Sequence, residues 1–297
     1  MAIGNLASRF LVAVVAVPII LVTLYYRVPE ATAALVWVAT LLAMREFFGM
    51  TLDDRRDRLA SLIIGGIAAG ALYAMHPTSL RMFDGLRADH GAQLALLVVG
   101  PLVAVGLAII PTGLYYLFGF RDMQTVAHRF AFTLAGTVYV GLGMMFLALC
   151  KRDFGSFGGD VIVMILLVAW IGDTFAYFAG RFLGKRKLYE AVSPKKTWAG
   201  AIGGLAGSLV AVIVLKLVRL DDHLSWLDVV LIAIPGGVLG QLGDLAESLI
   251  KRAVGVKDSG SLLPGHGGML DRIDAVLFIA PYVYMYMWLK PVLAAMF

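Results

Sequence analysis

Ala199-Gly-Ala-Ile-Gly-Gly-Leu-Ala-Gly-Ser-Leu-Val-Ala-Val-Ile-Val-Leu-Lys-Leu-Val218 is a run of apolar and small residues with a single charge, Lys216. A helix of about 20 residues rises about 30 Å, the thickness of a bilayer's hydrocarbon core. The stretch therefore reads as a transmembrane helix. Its Gly200/Gly204 and Gly203/Gly207 pairs, like Gly236/Gly240 further on, have the small-xxx-small spacing that lets helix backbones approach closely. Working outward, apolar runs bounded by charges, Pro or Gly predict further spans at about 9–26, 31–49, 59–76, 93–118, 129–150, 160–181, 227–250 and 273–295. The run at 93–118 carries Pro101, Pro111 and Gly113, and so leaves a kinked, tilted or partly re-entrant segment open.

The fold class expected is thus an all-α polytopic integral membrane protein, a bundle of about nine helices. Composition agrees: of 297 residues 60% are hydrophobic and 15% charged, and the mean hydropathy is +0.86. These values exclude a soluble enzyme and a disordered chain. The single cysteine, Cys150, excludes an internal disulfide framework and reads as a small packing residue. Arg9 before an apolar run, with Ala31-Thr32-Ala33 after it, imitates a signal peptide, but the run from Phe10 to Tyr26 is longer than an h-region and reads as a retained helix.

With nine spans, 17 of the 25 Lys and Arg fall on the side of the N-terminus, which predicts a cytoplasmic N-terminus. The polar loops at about 182–198 and 251–272 then face the cytoplasm, where a nucleotide can reach both. No internal repeat supports an inverted-repeat transporter. Residues 1–155 read as structural helices giving lipid access, and 156–297 as the region of chemistry, because charged residues cluster there at helix ends and in glycine-rich loops. The net charge of +5 suits an anionic membrane surface or substrate; no nucleic-acid partner is expected.

Three constellations carry that chemistry. In Gln241-Leu-Gly-Asp244-Leu-Ala-Glu247-Ser248-Leu-Ile-Lys251-Arg252, the residues Gln241, Asp244, Ser248 and Lys251 share one helical face. An acid in or near the bilayer calls for a polar cavity, a metal or a cation, and an internal Asp244–Lys251 pair is the structural alternative. Lys257-Asp258-Ser259-Gly260 then leads through Leu263-Pro264-Gly265-His266-Gly267-Gly268 to Asp271-Arg272-Ile273-Asp274, read as opening the last helix with both aspartates on one face. Asp244, Asp271 and Asp274 together offer hard oxygen ligands suited to Mg²⁺ shared with substrate phosphates. The glycines let backbone N–H groups approach an anion. Asp258 reads more simply as a turn cap. His266, without a second histidine nearby, suits a phosphate contact or a loop-positioning role and not zinc.

The third constellation is Asp173, Tyr177 and Arg181, repeating every four residues inside and after the sixth span. They line a cavity with Asp244, or else tie helices together by hydrogen bonds. Beyond them, Gly184-Lys185-Arg186-Lys187 and Ser193-Pro194-Lys195-Lys196-Thr197 form a basic loop for phosphates or anionic lipid. It is not a Walker A loop, since Gly180 and Gly184 are separated by three residues and Lys185 is followed by Arg186. Arg45-Glu46, near the end of the second span, reads as an interfacial pair.

The run Ser248-x-x-Lys251-Arg252, Lys257-Asp258, Leu263-Pro264-Gly265-His266-Gly267-Gly268 and Asp271-Arg272-x-Asp274 resembles the C-terminal signature of the phosphatidate cytidylyltransferases (CDP-diacylglycerol synthases). The Asp173–Arg181 segment and Ser193-Pro194-Lys195-Lys196-Thr197-Trp198 also look like that family, so the resemblance is strong over about 170–275. It implies the reaction of CTP with phosphatidate to CDP-diacylglycerol and pyrophosphate at the cytoplasmic face of a membrane, for a chain of this kind a bacterial inner membrane. It implies one or two Mg²⁺, and leaves a further monovalent cation open. Asp244 and Asp271 would be the principal metal ligands with Asp274 close by, and Lys195, Lys196, Lys251 and Arg252 would meet phosphates. The remaining motif residues, Asp173, Tyr177, Arg181, Ser193, Thr197, Ser248, Lys257, Asp258, His266, Gly267, Gly268 and Arg272, would line the substrates. Two positions depart from the pattern: Ala199 stands where the family usually has Glu, and Ala275 where it often has Ser. A CTP-dependent polyprenol kinase is the alternative, a transporter a more distant one, and a homodimer is left open.

Overall fold

The computed structural model describes residues 14, 17–75, 90–119, 121–262 and 267–294. Among them, seven helices are long and apolar enough to cross a membrane. The chain is an integral membrane protein. Of the expected first span, 9–26, residues 9–13, 15 and 16 lie outside the described residues, and 17–25 are helical. At the place of the expected ninth lies a helix of 19 residues, Val276–Ala294.

Two compact units can be distinguished, 1–153 with 258–270, and 154–257 with 271–297. In the first, α1 (Pro29–Thr51) starts with a proline, whose missing N–H costs nothing in a first turn. It leads to α2 (Arg55–Ala74), capped by the Asp54 carboxylate accepting from the Arg56 N–H at 2.6 Å. Then come α3 (His90–Gly119), a continuous helix through Pro101 and Pro111, and α4 (Met123–Ala135), capped by Asp122. A π-helical turn, Gly136–Leu142, joins α4 to α5 (Gly143–Asp153). That turn sits where Gly136 meets the rings of Phe47 and Phe48 so closely that a Cβ would lie 2.4 Å from Phe48. Phe47, Phe48, Met44 and Met145 fill the core there. Asp57, buried in the same unit, is held on both oxygens: it accepts from Arg129 at 2.9 Å and from the Tyr115 hydroxyl at 2.7 Å.

The second unit runs α6 (Gly158–Leu183), strands β1 (Lys187–Tyr189) and β2 (Ser193–Thr197), α7 (Trp198–Leu215) and α8 (Trp226–Ala253). The chain re-enters this unit at Asp271, within the short α9 (Leu270–Ile273), and ends in α10 (Val276–Ala294). The strands pair antiparallel, Lys187 opposite Thr197 and Tyr189 opposite Ser193. The described chain is predominantly helical, as expected, and the basic loop expected at 182–198 contains this short hairpin. The Trp198 N–H bonds the Arg186 carbonyl at 3.0 Å and the Arg186 guanidinium lies 5.8 Å from the Trp198 ring centroid, which closes the base of the hairpin.

Glycine spacing on α7 serves chiefly its contact with α6. A Cβ on Gly203 would stand 2.3 Å from that of Ala179, and one on Gly207 2.8 Å from the Ile171 carbonyl. On α8, Gly237 meets Ser208 and Gly240 meets Ile279 of α10. These small-residue faces are thus used within the chain. Close approach of α6, α7 and α8 is what brings the charged ends of three helices together.

Candidate functional site

At the C-terminal end of α6, Asp173, Tyr177 and Arg181 line one side of a cavity of about 340 Å³ whose other walls include Lys195, Lys196, Thr197, Gln241 and Asp244. The sequence placed the first three on one helical face, and the fold brings that face against the basic hairpin and α8. Arg181 donates to the Tyr177 hydroxyl at 2.9 Å. Thr197 is the N-cap of α7, accepting from the Gly200 N–H at 3.1 Å, so its hydroxyl shapes the wall. Ser193 opens β2, next to Pro194, whose carbonyl holds the Lys187 ammonium.

Asp244, Glu247 and Asp274 each offer a carboxylate oxygen within 4.8 Å of the others. Lys196 lies 2.6 Å from Asp244, and the Ser248 hydroxyl donates to the same carboxylate at 3.3 Å. Lys251 stands between two acids, 2.6 Å from Glu247 and 2.6 Å from Asp271. The Asp244–Lys251 pair considered from spacing is therefore replaced by Asp244–Lys196 and by a Glu247–Lys251–Asp271 bridge. Gln241 donates to the Ala201 carbonyl at 3.0 Å, tying α8 to α7 beside the acids.

Asp271 and Asp274 do not share one continuous helix, which corrects the sequence reading. The chain turns at Asp274–Ala275 between α9 and α10, with the Ala275 N–H bonded to its neighbour's carboxylate at 2.8 Å. The turn presses on α8 at Gly243, where a Cβ would come within 2.6 Å of the Asp274 carbonyl. Only a glycine accepts that approach. The turn puts Asp274 with Asp244 and Glu247, while Asp271 reaches Lys251.

The donor set fits a hard divalent cation. It consists of carboxylate oxygens on helix ends, and Glu247, fully buried, keeps an oxygen with no hydrogen-bond partner among the described residues. Glu247 was missed as a site residue in sequence, although its spacing of three from Asp244 puts it on the same side of α8. Four further predicted residues are not among those lining the cavity. Arg252 is exposed and donates to the Val256 carbonyl at 3.2 Å, while Lys257, Asp258 and Arg272 are exposed. His266 lies outside the described residues.

In the first unit, Ser259, Gly260, Gly268 and Leu270 gather around Glu46 of α1. The Glu46 carboxylate accepts from the Ser259 hydroxyl at 3.2 Å and from the Leu270 N–H at 2.9 Å. Gly268 is buried beside it, and Gly267 adopts φ 82°. The reading of Arg45-Glu46 as an interfacial pair is thus corrected: Arg45 is exposed, and Glu46 turns inward. Nothing local in the sequence signals a partner more than 200 residues away.

Residues 7–290 match the model of the cytidylyltransferase family. The chain belongs to that family. Among curated relatives, the phosphatidate cytidylyltransferase of Staphylococcus saprophyticus is 34% identical over 82% of this chain and 85% of its own length. That of Staphylococcus haemolyticus is 47% identical over 51% of this chain, the match spanning 56% of the relative. That of Bacillus subtilis is 39% identical over 54% of this chain and 61% of its own length. For this cytidylyltransferase-family chain, the cavity, the carboxylates and the lysines all lie within the matched residues.

Proposed function

We infer that this chain transfers a cytidylyl group from CTP to phosphatidate, giving CDP-diacylglycerol and pyrophosphate. The observation that carries the reading is the Asp244–Glu247–Asp274 cluster beside a cavity walled by Arg181, Lys195 and Lys196. Family membership and relatives named phosphatidate cytidylyltransferase support it.

The chemistry asks for what these residues offer. A phosphate monoester oxygen is already anionic near neutral pH, so its attack on the α-phosphorus needs no strong general base. A bond forms between that oxygen and the α-phosphorus, and the bond from the α-phosphorus to the bridging oxygen breaks, releasing pyrophosphate. Such a transfer depends on charge neutralisation and in-line positioning. Asp244, Glu247 and Asp274, with Asp271 adjacent, would hold Mg²⁺, which supplies neutralisation of phosphate charge when bound. Lys195, Lys196 and Arg181 meet the phosphate oxygens and stabilise the departing pyrophosphate. Lys251 keeps Glu247 and Asp271 at a common distance and limits their mutual repulsion.

We place the site at the cytoplasmic face of a bacterial inner membrane with the N-terminus on the same side, because the basic hairpin and the end of α8 carry the positive excess. Pyrophosphate release by purified, detergent-solubilised protein tests the function. Release that requires CTP, phosphatidate and Mg²⁺ together is the expected result. Formation of CDP and a phosphorylated lipid would overturn it in favour of a lipid kinase.

A further inference from the structure

We propose that Glu46, on α1, is a positioning residue that sets the backbone at Ser259–Gly260 and at Gly268–Leu270, the start of α9. The proposal rests on the cytidylyltransferase reading for its kinetic consequence, but its structural basis stands alone. One carboxylate oxygen of Glu46 holds two donors from opposite ends of the segment, the Ser259 hydroxyl at 3.2 Å and the Leu270 N–H at 2.9 Å. It thereby holds Ser259 and Leu270 to one oxygen with charge-assisted bonds, the stronger class of hydrogen bond. Leu270 is fully buried and is the first residue of α9. Its N–H is one of those a helix start leaves without an intrahelical acceptor, and Glu46 supplies the acceptor from a different helix. Asp271 follows Leu270 directly in the chain, so whatever fixes the Leu270 backbone fixes where the Asp271 side chain begins.

The segment is cut to the shape of this carboxylate. A Cβ on Gly260 would meet Oε1 of Glu46 at 2.6 Å, with the Cδ and Cγ atoms of the same side chain next nearest. A Cβ on Gly268 would stand 2.6 Å from Oε2 and 2.1 Å from the Ser259 hydroxyl oxygen. Both glycines are thus required for the chain to wrap an acid arriving from α1. This gives the segment's glycines a second role besides offering N–H groups to phosphate.

The test combines turnover with hydrogen exchange in detergent on the full chain. Glu46→Ala is expected to lower kcat about 10–100-fold with KM for CTP nearly unchanged. It is also expected to speed amide exchange in peptides covering 259–270 by about tenfold, without change in the other helices. Glu46→Gln keeps one acceptor and should recover part of both losses. Gly260→Ala provides an independent arm: it should be harmful in the native chain and close to neutral in the Glu46→Ala background, where its three nearest obstacles are gone. Unchanged exchange at 259–270 in Glu46→Ala, or additive effects of the two substitutions, would overturn the proposal. If Glu46→Ala fails to fold, Glu46→Gln carries the exchange readout, and native exchange there is the overturning result. A native chain without cytidylyltransferase activity would defeat the reaction assigned to the site while the exchange result still decides the role of Glu46.

Discussion

The two ends of α8 carry buried acids in opposite states. At the N-terminal end, Asp228 accepts from the Ser225 N–H at 2.6 Å, the Ser225 hydroxyl at 2.8 Å, the Lys290 ammonium at 2.6 Å and the Tyr286 hydroxyl at 2.5 Å. Both oxygens have donors, three on Oδ2 and one on Oδ1, and the capping box makes the acid part of the helix start. Sixteen residues on, about 24 Å along the axis, Asp244 and Glu247 converge with Asp274, with one ammonium near Asp244, another near Glu247, and a buried Glu247 oxygen left over. An acid saturated with donors is finished structure. Three acids kept close with too few donors have room for a positive ligand.

Substitutions can break this contrast. The largest effect is expected for Asp244→Asn, which should lower pyrophosphate release by at least about 100-fold while leaving the helical circular dichroism and the unfolding midpoint nearly intact. Full activity in that variant would remove the metal assignment; Asp271→Asn is expected to follow the same direction. Asp228→Ala should do the reverse. It strands Tyr286 and the Ser225 N–H and weakens the hold on Lys290, so stability should fall by about 2 kcal/mol in denaturant unfolding, with turnover per folded molecule within about twofold of native.

Finer changes sharpen the same contrast. Glu247→Gln should raise the Mg²⁺ concentration needed for half-maximal turnover about tenfold, read from a metal titration after chelation, because a neutral amide binds a hard cation less well. Smallest is Ser248→Ala, which removes one 3.3 Å bond to Asp244. It should cost a few-fold in kcat, corresponding to about 0.5–1 kcal/mol. A larger loss there than in Glu247→Gln would mean that Asp244 depends on its hydroxyl partner more than on its fellow acids.

Much of this was legible in the chain itself. Hydropathy marked the positions of the seven long apolar helices, and the spacing of Asp173, Tyr177 and Arg181 anticipated one wall of the cavity. The hairpin was hidden because strands of three and five residues, rich in lysine, carry no apolar alternation to detect. The break at Asp274–Ala275 was hidden because it arises from contact with Gly243, a residue of another helix. Glu247 was in view but looked like one more polar residue near a helix end.

The sequence by itself determined that the chain lives in a membrane, and it showed where charged residues gather at helix ends and in glycine-rich loops. Those properties follow from local composition and from spacing along one helix, where lipid and water act on each segment separately. Only the tertiary structure decided that Lys196 serves Asp244, that Lys251 bridges Glu247 and Asp271, and that Glu46 receives Ser259 and Leu270. Ion pairs fall off within a few ångströms, so partners far apart in sequence are chosen by how closely the backbones approach. In the second unit that approach is set by glycines on α6, α7 and α8, and in the first by those that wrap Glu46.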